Sequence, residues 1–397
     1  MLEIVFLILL LVVVYTYPGY AVVVWGLAKI KQAIVGQQTL PTLDVEELPK
    51  VCLFVTAYNE LEIAEQKVQN SFKLNYPKDK IQHLWITDGS NDGTVDLLRK
   101  HPRLQVEHLP ERQGKAQAIN RGMSFVKAPL VVFSDSNTLI AENAILEIVR
   151  QFEDPNTGCV AGEKRIVEKD QDTATASGEG LYWRLESFIK QMDAHLHTAV
   201  GAAGELFAIR TPLFQTLEPD TVLDDLMISL RIAAKGHRIA YAPQAYATET
   251  ASAGIREEFK RKTRIAAGGV QSIGRLAHLL NPWRYGWLSF QFFSHKVLRW
   301  TLAPFALFLL FVINFFILCE QQSWQSLDVY TVLFYIQALM YLIAGVGWLF
   351  ENRKIRFKLF FIPFYFVAMN YASIVGIVRY LKGGQSVVWE KAKRAKV

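Results

Sequence analysis

The chain reads as an α/β domain on a mostly parallel sheet, held between transmembrane helices at both ends. Three observations carry that reading. Long apolar runs lie near both ends of the 397 residues, each close to the roughly 20 residues that cross hydrocarbon. The middle alternates β-rich apolar runs with amphipathic stretches, the mark of βαβ units and a parallel sheet. Successive apolar runs end in polar turns that carry carboxylates: ITDGSNDGT holds Asp88 and Asp92, and VVFSDSNT holds Asp135. A further pair, Asp224 and Asp225, lies in TVLDDLMISLR. Ligands of open α/β sheets bind beyond the carboxyl ends of the strands.

Taken in order, residues 1–28 form an anchor. Met1 to about Leu27 is apolar, broken by Glu3 and by Tyr17-Pro18-Gly19, and no small-residue cleavage site follows a charged start. Lys29 and Lys31 come next, which places the following domain in the cytoplasm by the positive-inside rule. After an exposed linker, GQQTLPTLDVEELPK, a domain spans 40–250. VCLFVTAY, IQHLWIT, RLQVEHL, PLVVFSD and TGCVAGEKRIV read as strands. Ile63–Leu74, Val95–Lys100, Lys115–Val126, Ala141–Phe152 and Leu226–Ala234 read as helices. Residues 251–297 are amphipathic, and LLNPWRYGWLSFQFFSHKVLRW mixes aromatic and basic residues as an interface-lying segment does.

The C-terminal membrane region covers 298–380, with spans at Leu298–Leu318, Val329–Phe350 and Leu359–Val378. CEQQSWQSLD lacks Lys and Arg and reads as an outer loop; ENRKIRFK reads as an inner one. The even span count then puts the basic tail, 381–397, outside, against its charge. Either Leu359–Val378 is a re-entrant or interfacial hairpin bent at Pro363, or the tail violates the positive-inside rule.

Composition narrows the function classes. Hydrophobic residues are 51% of the chain, and the formal net charge is +6. Much of the excess charge flanks the spans, which favours anionic lipid over nucleic acid. No aromatic-interleaved basic stripe or zinc finger supports nucleic-acid binding. Cys52, Cys159 and Cys319 lie far apart and offer neither a disulfide framework nor paired metal-ligand spacing. Both G-x-G-x-x-G and the P-loop pattern are absent, which disfavours dehydrogenases and P-loop kinases. In their place stand YNE, DGSNDGT and DSNT. Any one of these alone is an ordinary turn; three at the ends of successive strands point to a site.

In this order the turns resemble those of the membrane-bound family 2 glycosyltransferases, the group that includes synthases of cellulose, hyaluronan, chitin oligomers and poly-N-acetylglucosamine. VTAYNE and TDGSNDGT resemble the opening motifs, ERQGKAQAIN the R-x-G-K-x-x-A-x-N element, SDSNT the D-x-D position, LDD the acidic pair and RKTRI the Q-x-x-R-W position. The resemblance covers almost the whole chain. It implies a nucleotide-sugar-binding domain of the GT-A type, a UDP-sugar donor, Mg2+ or Mn2+, and a polysaccharide or lipid acceptor at the inner face of the cell membrane. It leaves room for a synthase partner or a homo-oligomer.

Roles carry over residue by residue. Asp88 is expected to face the nucleoside, with Tyr58 and Glu60 flanking the base and ribose. Lys115 is expected to pair with the diphosphate, assisted by Arg112; cations at a helix N-terminus oppose the macrodipole and need some such reason. Asp135 is the expected metal ligand, with Asn137 where the family has a second acid. Asp225 is the expected general base, since glycosyl transfer needs the acceptor hydroxyl deprotonated as it attacks, and Arg264 is expected to reach the leaving diphosphate. Gly204 and Glu205 in GAAGELFAIR, Asp224 and Arg261 are expected on the acceptor side. Each has a plainer reading: Asp135 as a turn cap, Asp224 and Asp225 as helix caps, the arginines as surface charges, and His195 and His197 as structural residues. Ile265 stands where the family has Trp, which tilts against a long secreted polymer. Two alternatives remain: a membrane enzyme transferring nucleotidyl or phosphoglycosyl groups, and a non-enzymatic nucleotide-sugar-binding subunit of a synthase.

Overall fold

The computed structural model describes residues 1–36, 43, 47–167, 174–250, 252, 254–350 and 358–384. Most of the 36–50 linker, all but the last residue of ENRKIRFK and most of the basic tail lie outside the described residues.

The sheet has eight strands in the order β3-β2-β1-β4-β7-β6-β8-β5. β1 (Val51–Ala57), β2 (Ile81–Asp88), β3 (Leu104–Leu109) and β4 (Leu130–Asp135) form a parallel block with β1 and β2 central. Every residue of β1 is buried, because a parallel sheet is covered on both faces and its strands must be apolar throughout. On one face α3 (Leu61–Phe72), α4 (Thr94–Arg99) and α6 (Ala144–Gln151) pack Val68, Leu98 and Ile148 with Leu53, Val55 and Trp85. On the other, α5 (Lys115–Met123) and α8 (Asp224–Ala234) pack Ile119 and Leu230 with Phe54, Ile86 and Phe133.

The second half of the sheet is mixed. β5 (Leu139–Ile140) runs antiparallel to β8 (Arg238–Thr250), and β7 (Phe207–Arg210) lies antiparallel between β4 and β6 (Thr157–Val167). The sequence pattern predicts neither β5, β7 nor β8. β5 and β7 are two and four residues long, too short for an alternation to register. A long helix, α7 (Ala174–Leu196), is likewise unpredicted, and it packs against the N-terminal helices.

Among the described residues, four stretches are long and apolar enough to cross a membrane: Leu2–Val35, Leu302–Gln321, Val329–Phe350 and Phe360–Leu381. The first comprises α1 (Leu2–Val14), a π turn at Tyr15–Gly19 and α2 (Tyr20–Val35). α9 (Ile255–Arg275), α10 (Pro282–Tyr285) and α11 (Trp287–Phe292) lead towards the later spans. A second π turn, Phe293–Val297, and the short α12 (Leu298–Trp300) follow, and Thr301 then leaves helical geometry at φ −128° and ψ −78°. The second span is therefore α13 (Leu302–Gln321), which starts after this break and not at Leu298. α14 (Val329–Phe350) matches its expected bounds.

Of the two readings of the last span, the hairpin bent at Pro363 is not present. α15 (Lys358–Leu381) runs through Pro363 as one helix. The proline is past the first turn and forgoes one rung of the ladder, yet the helix continues on both sides of it. α15 lies directly on α9: a Cβ at Gly376 would come within 2.3 Å of the Thr263 carbonyl oxygen.

A buried polar cluster joins these parts. Tyr20 donates to Asp193 at 2.5 Å, His295 Nδ1 lies 2.7 Å from the same carboxylate, and Lys296 and Arg299 contact Glu186 at 2.5 and 2.8 Å. Removing such charges from water is costly unless each is paired, so this cluster sets how α2 and α7 meet the segment after α11.

Candidate active site

Two loops at the carboxyl ends of β1 and β2 are stitched together. Asn59 adopts φ +52°. Its backbone N–H donates to Ser90 Oγ at 3.1 Å, and its side-chain oxygen accepts from Asn91 N at 2.9 Å. Asp92 accepts from Leu61 N and Thr94 N at 3.1 and 3.0 Å, the first residues of α3 and α4. It is therefore a turn and helix-start residue, as the plain reading of these motifs has it.

Asp88 is buried and holds the next loop. Its carboxylate accepts from Gln113 N at 3.1 Å and from Gly114 N at 2.7 Å. That brings the start of α5 over the strand ends and sets Arg112 above the Tyr58 ring, guanidinium to centroid 3.6 Å. Tyr58, Glu60, Asp88 and Arg112 thus gather at one end of the sheet, with Asp88 engaged by backbone amides beneath Arg112.

The same clamp delivers Lys115 to a second cluster. Lys115 Nζ lies 2.8 Å from Asp135 Oδ1 and 3.3 Å from Asp224 Oδ2. Asp135 ends β4, whose register pairs it with Thr56 of β1. Asp224 and Asp225 open α8; Asp225 Oδ1 accepts from Leu226 N at 2.8 Å, and neither aspartate is the N-cap, which is Leu223. The 201–204 loop closes the cluster, held to α8 by Ala202 N donating to Ser229 Oγ at 3.0 Å. A Cβ at Gly204 would stand 3.3 Å from Lys115 Nζ, 3.5 Å from Asp225 Oδ2 and 3.6 Å from Asp135 Oδ2. Gly204 thus faces the centre of the cluster, and a side chain there would fill it. The adjoining pocket is lined by Thr56, Lys115, Ser134, Asp135, Gly204 and Asp224.

The electrostatics follow from crowding. Desolvation and the neighbouring Asp224 push the Asp225 carboxyl up to about 7, against the opposing pull of Lys115. Desolvation also raises Asp135, with Lys115 opposing. Burial lowers the Arg264 guanidinium, while Asp224, Asp135 and Asp225 act in the opposite sense. Arg264 of α9 therefore belongs to the same electrostatic unit. A carboxyl poised near neutrality in a cleft is suited to proton transfer.

The remaining predicted residues lie in a neighbouring network. Lys164, which the sequence reading does not single out, is fully buried between Glu205 Oε1 at 2.6 Å and Glu249 Oε2 at 2.5 Å. Burial tends to raise Glu205, but Lys164 holds it down at about 2. Asn137 Nδ2 donates to Glu249 Oε1 at 3.0 Å, so its amide is turned to β8. Arg261 pairs with Glu179 and Glu258, each at 2.8 Å, and Tyr365 of α15 donates to Glu258 at 3.0 Å. Glu205, Asn137 and Arg261 are thus committed to buried partners, in contrast to Gly204 and Asp225. His195 and His197 end α7 or directly follow it, and burial lowers both. Among the described residues no group of three or more His, Cys, Asp or Glu gathers as a metal site.

Comparison with known proteins agrees with this geometry. The family described as "Glycosyltransferase like family 2" matches residues 49–268. A poly-beta-1,6-N-acetyl-D-glucosamine synthase of Staphylococcus aureus (strain COL) is 26% identical over 269 residues, covering 64% of this chain and 64% of the relative. That of Staphylococcus epidermidis (strain ATCC 35984) is 24% identical over 272 residues with the same coverage. The matched region is thus under two thirds of these relatives' length. Among solved structures, the mannosyltransferase PcManGT from Pyrobaculum calidifontis, in complex with GDP-Man and Mn2+, aligns over 97% of this chain and 100% of its own. Its TM-score is 0.70 at 20% identity, a likeness of fold. With the matched region running from the β1 start to α9 and enclosing every strand and the whole carboxylate cluster, this chain belongs to family 2 of the glycosyltransferases and has their GT-A-like fold.

Proposed function

We propose that the protein is an inverting, metal-dependent synthase that adds a sugar from a UDP-sugar to a growing polysaccharide at the cytoplasmic face of a membrane. The observation that carries this reading is the convergence of Lys115, Asp135, Asp224 and Asp225 on Gly204. In this reading Tyr58, Glu60, Asp88 and Arg112 bound the nucleoside, Lys115 and Arg264 meet the diphosphate, and Asp225 takes the acceptor proton. Attack opposite the leaving diphosphate inverts the anomeric carbon. Gly204, Glu205, Asp224 and Arg261 would border or brace the acceptor side.

The residues fit a divalent cation. Asp224 Oδ2 is buried and accepts no hydrogen bond, and the Lys115 ammonium stands between it and Asp135 as a cation would. Asp135 would hold Mg2+ or Mn2+ with phosphate oxygens of the donor, the arrangement such ions favour over an all-protein cage; Asn137 would lie beside it. When bound, the ion neutralises the charge that develops on the leaving diphosphate.

The named relatives favour a polysaccharide of N-acetylglucosamine type. Ile265 in place of Trp favours the second reading, a lipid acceptor and a short product. Membranes bearing the full chain, incubated with radiolabelled UDP-N-acetylglucosamine, other UDP-sugars and GDP-mannose plus Mg2+ or Mn2+, separate these. High-mass label from a UDP-sugar is the expected result. Label in the organic phase would favour the lipid acceptor, and label from GDP-mannose alone would overturn the donor assignment. Metal-independent transfer would overturn the role of Asp135.

A further inference from the structure

We infer that Lys67 is a positioning residue that locks the donor-side loop 134–138 onto the acceptor-side loop at Glu205. The inference rests on the active-site reading above. Lys67 lies on the buried stripe of α3 with Ala64, Val68 and Ser71 and is 0% exposed. A lone buried ammonium is costly, and an apolar side chain there would serve the core better. It is tolerated because all three N–H donors have acceptors. Nζ donates to Ser134 Oγ at 2.7 Å, to the Thr138 carbonyl at 2.7 Å and to Thr138 Oγ1 at 3.3 Å.

Those acceptors flank Asp135 and Asn137, so Lys67 grips the loop from both ends. They also carry the contact onward. Ser134 Oγ donates to the Glu205 carbonyl at 3.0 Å, and Thr138 Oγ1 donates to the Asp135 carbonyl at 3.0 Å, with the Glu205 carbonyl 3.4 Å away. Glu205 follows Gly204, which faces the carboxylate cluster. One ammonium therefore sets the spacing between the donor-side carboxylate and the loop the acceptor would approach. None of its hydrogen bonds reaches a carboxylate oxygen, so it holds the loop through hydroxyl and carbonyl groups and acts on Asp135 only through space.

The test uses the full chain in detergent and the variants Lys67→Met and Thr138→Val. Thr138→Val removes the shared hydroxyl without altering charge. Two readouts are taken: kcat against donor KM, and hydrogen exchange of the amides in 134–138 and 203–206. Misplacement of reacting groups by about 1 Å costs on the order of 100-fold in rate. Lys67→Met is expected to lower kcat by about that factor with donor KM little changed, and to speed exchange in both segments while the spans keep theirs. Thr138→Val is expected to do the same more weakly and to add nothing in the Lys67→Met background. Unchanged exchange in the two segments, or a kcat loss without it, overturns the inference. If Lys67→Met does not fold, Thr138→Val decides alone: wild-type exchange and kcat would overturn the coupling. The exchange readout needs no donor, so a wild type that turns over no UDP-sugar would sink the functional reading and leave the Lys67 result standing.

Discussion

Two clusters of charge meet behind the same loops, and they are built on opposite rules. Around Gly204, the aspartates Asp135, Asp224 and Asp225 share the Lys115 ammonium, Asp225 is pushed up to about 7, and one oxygen of Asp224 accepts no hydrogen bond. A few residues away, Lys164 sits between Glu205 and Glu249, and Arg261 sits between Glu179 and Glu258. There every one of the four acids contacts a cation within 2.8 Å, whereas Asp225 makes no ion pair among the described residues. Buried charge that is fully paired is architecture, and breaking it is costly. A buried carboxyl crowded by another and without its own ion pair, as Asp225 is, holds its proton more tightly and is available for proton transfer. The difference separates residues of similar composition and similar depth into two kinds.

The comparison breaks most sharply at Asp135. Asp135→Asn should lower transfer by about 1,000-fold, in the range of lost transition-state electrostatics. It should also weaken binding of UDP with Mn2+, measured by calorimetry, while the apparent Tm stays near wild type. Glu258→Gln should do the reverse. Removing one partner of a buried pair costs about 3–5 kcal/mol, to be read as a fall in Tm of the detergent-solubilised chain. Equal loss of turnover and of Tm in both variants would erase the distinction.

A smaller effect is pH-dependent. The folded pKa of Asp225, about 7, lies above its ordinary value of 3.8. A general base works deprotonated, so kcat/KM for the free enzyme should rise with pH along a limb centred near 7, and a bound divalent cation should move that limb lower. The folded state also holds this proton more tightly than the unfolded chain. That contribution to stability is present at low pH and lost as pH rises through about 7. A flat profile between pH 5 and 8 would count against the assignment. The smallest effect is expected at the nucleoside end: Arg112→Ala removes the stack on Tyr58 and should raise donor KM by about tenfold with kcat little changed, a loss of about 1.4 kcal/mol.

The parallel half of the fold and most of the residues gathered at its strand ends were legible because their signals are local. Continuous apolar runs mark strands buried on both faces, and polar turns at their ends mark the site. The resemblance in ERQGKAQAIN singled out Lys115 and Arg112, which the structure places against Asp135 and over Tyr58. What keeps them in place, Asp88 bound to the amides of Gln113 and Gly114, is long-range and has no sequence period. Of the mixed half, β6 was legible as TGCVAGEKRIV; β5 and β7 were hidden because they are very short, and α7 because it mixes polar and apolar residues. Lys164 and Glu249 are paired only by folding. Lys67 did leave a trace, a charge on the stripe Ala64, Val68 and Ser71, where an apolar residue is the rule. Of the two readings left open for the last span, the hairpin at Pro363 is not the one adopted, since α15 continues through the proline.

The central claim is that the cluster around Gly204 performs the transfer with Asp225 as its base. The most direct measurement is of Asp225→Asn, with sugar transfer and UDP affinity determined on one preparation. Loss of transfer by at least about 100-fold with UDP affinity within about threefold is the predicted result. Transfer near the wild-type rate, or loss of UDP binding along with turnover, would contradict it.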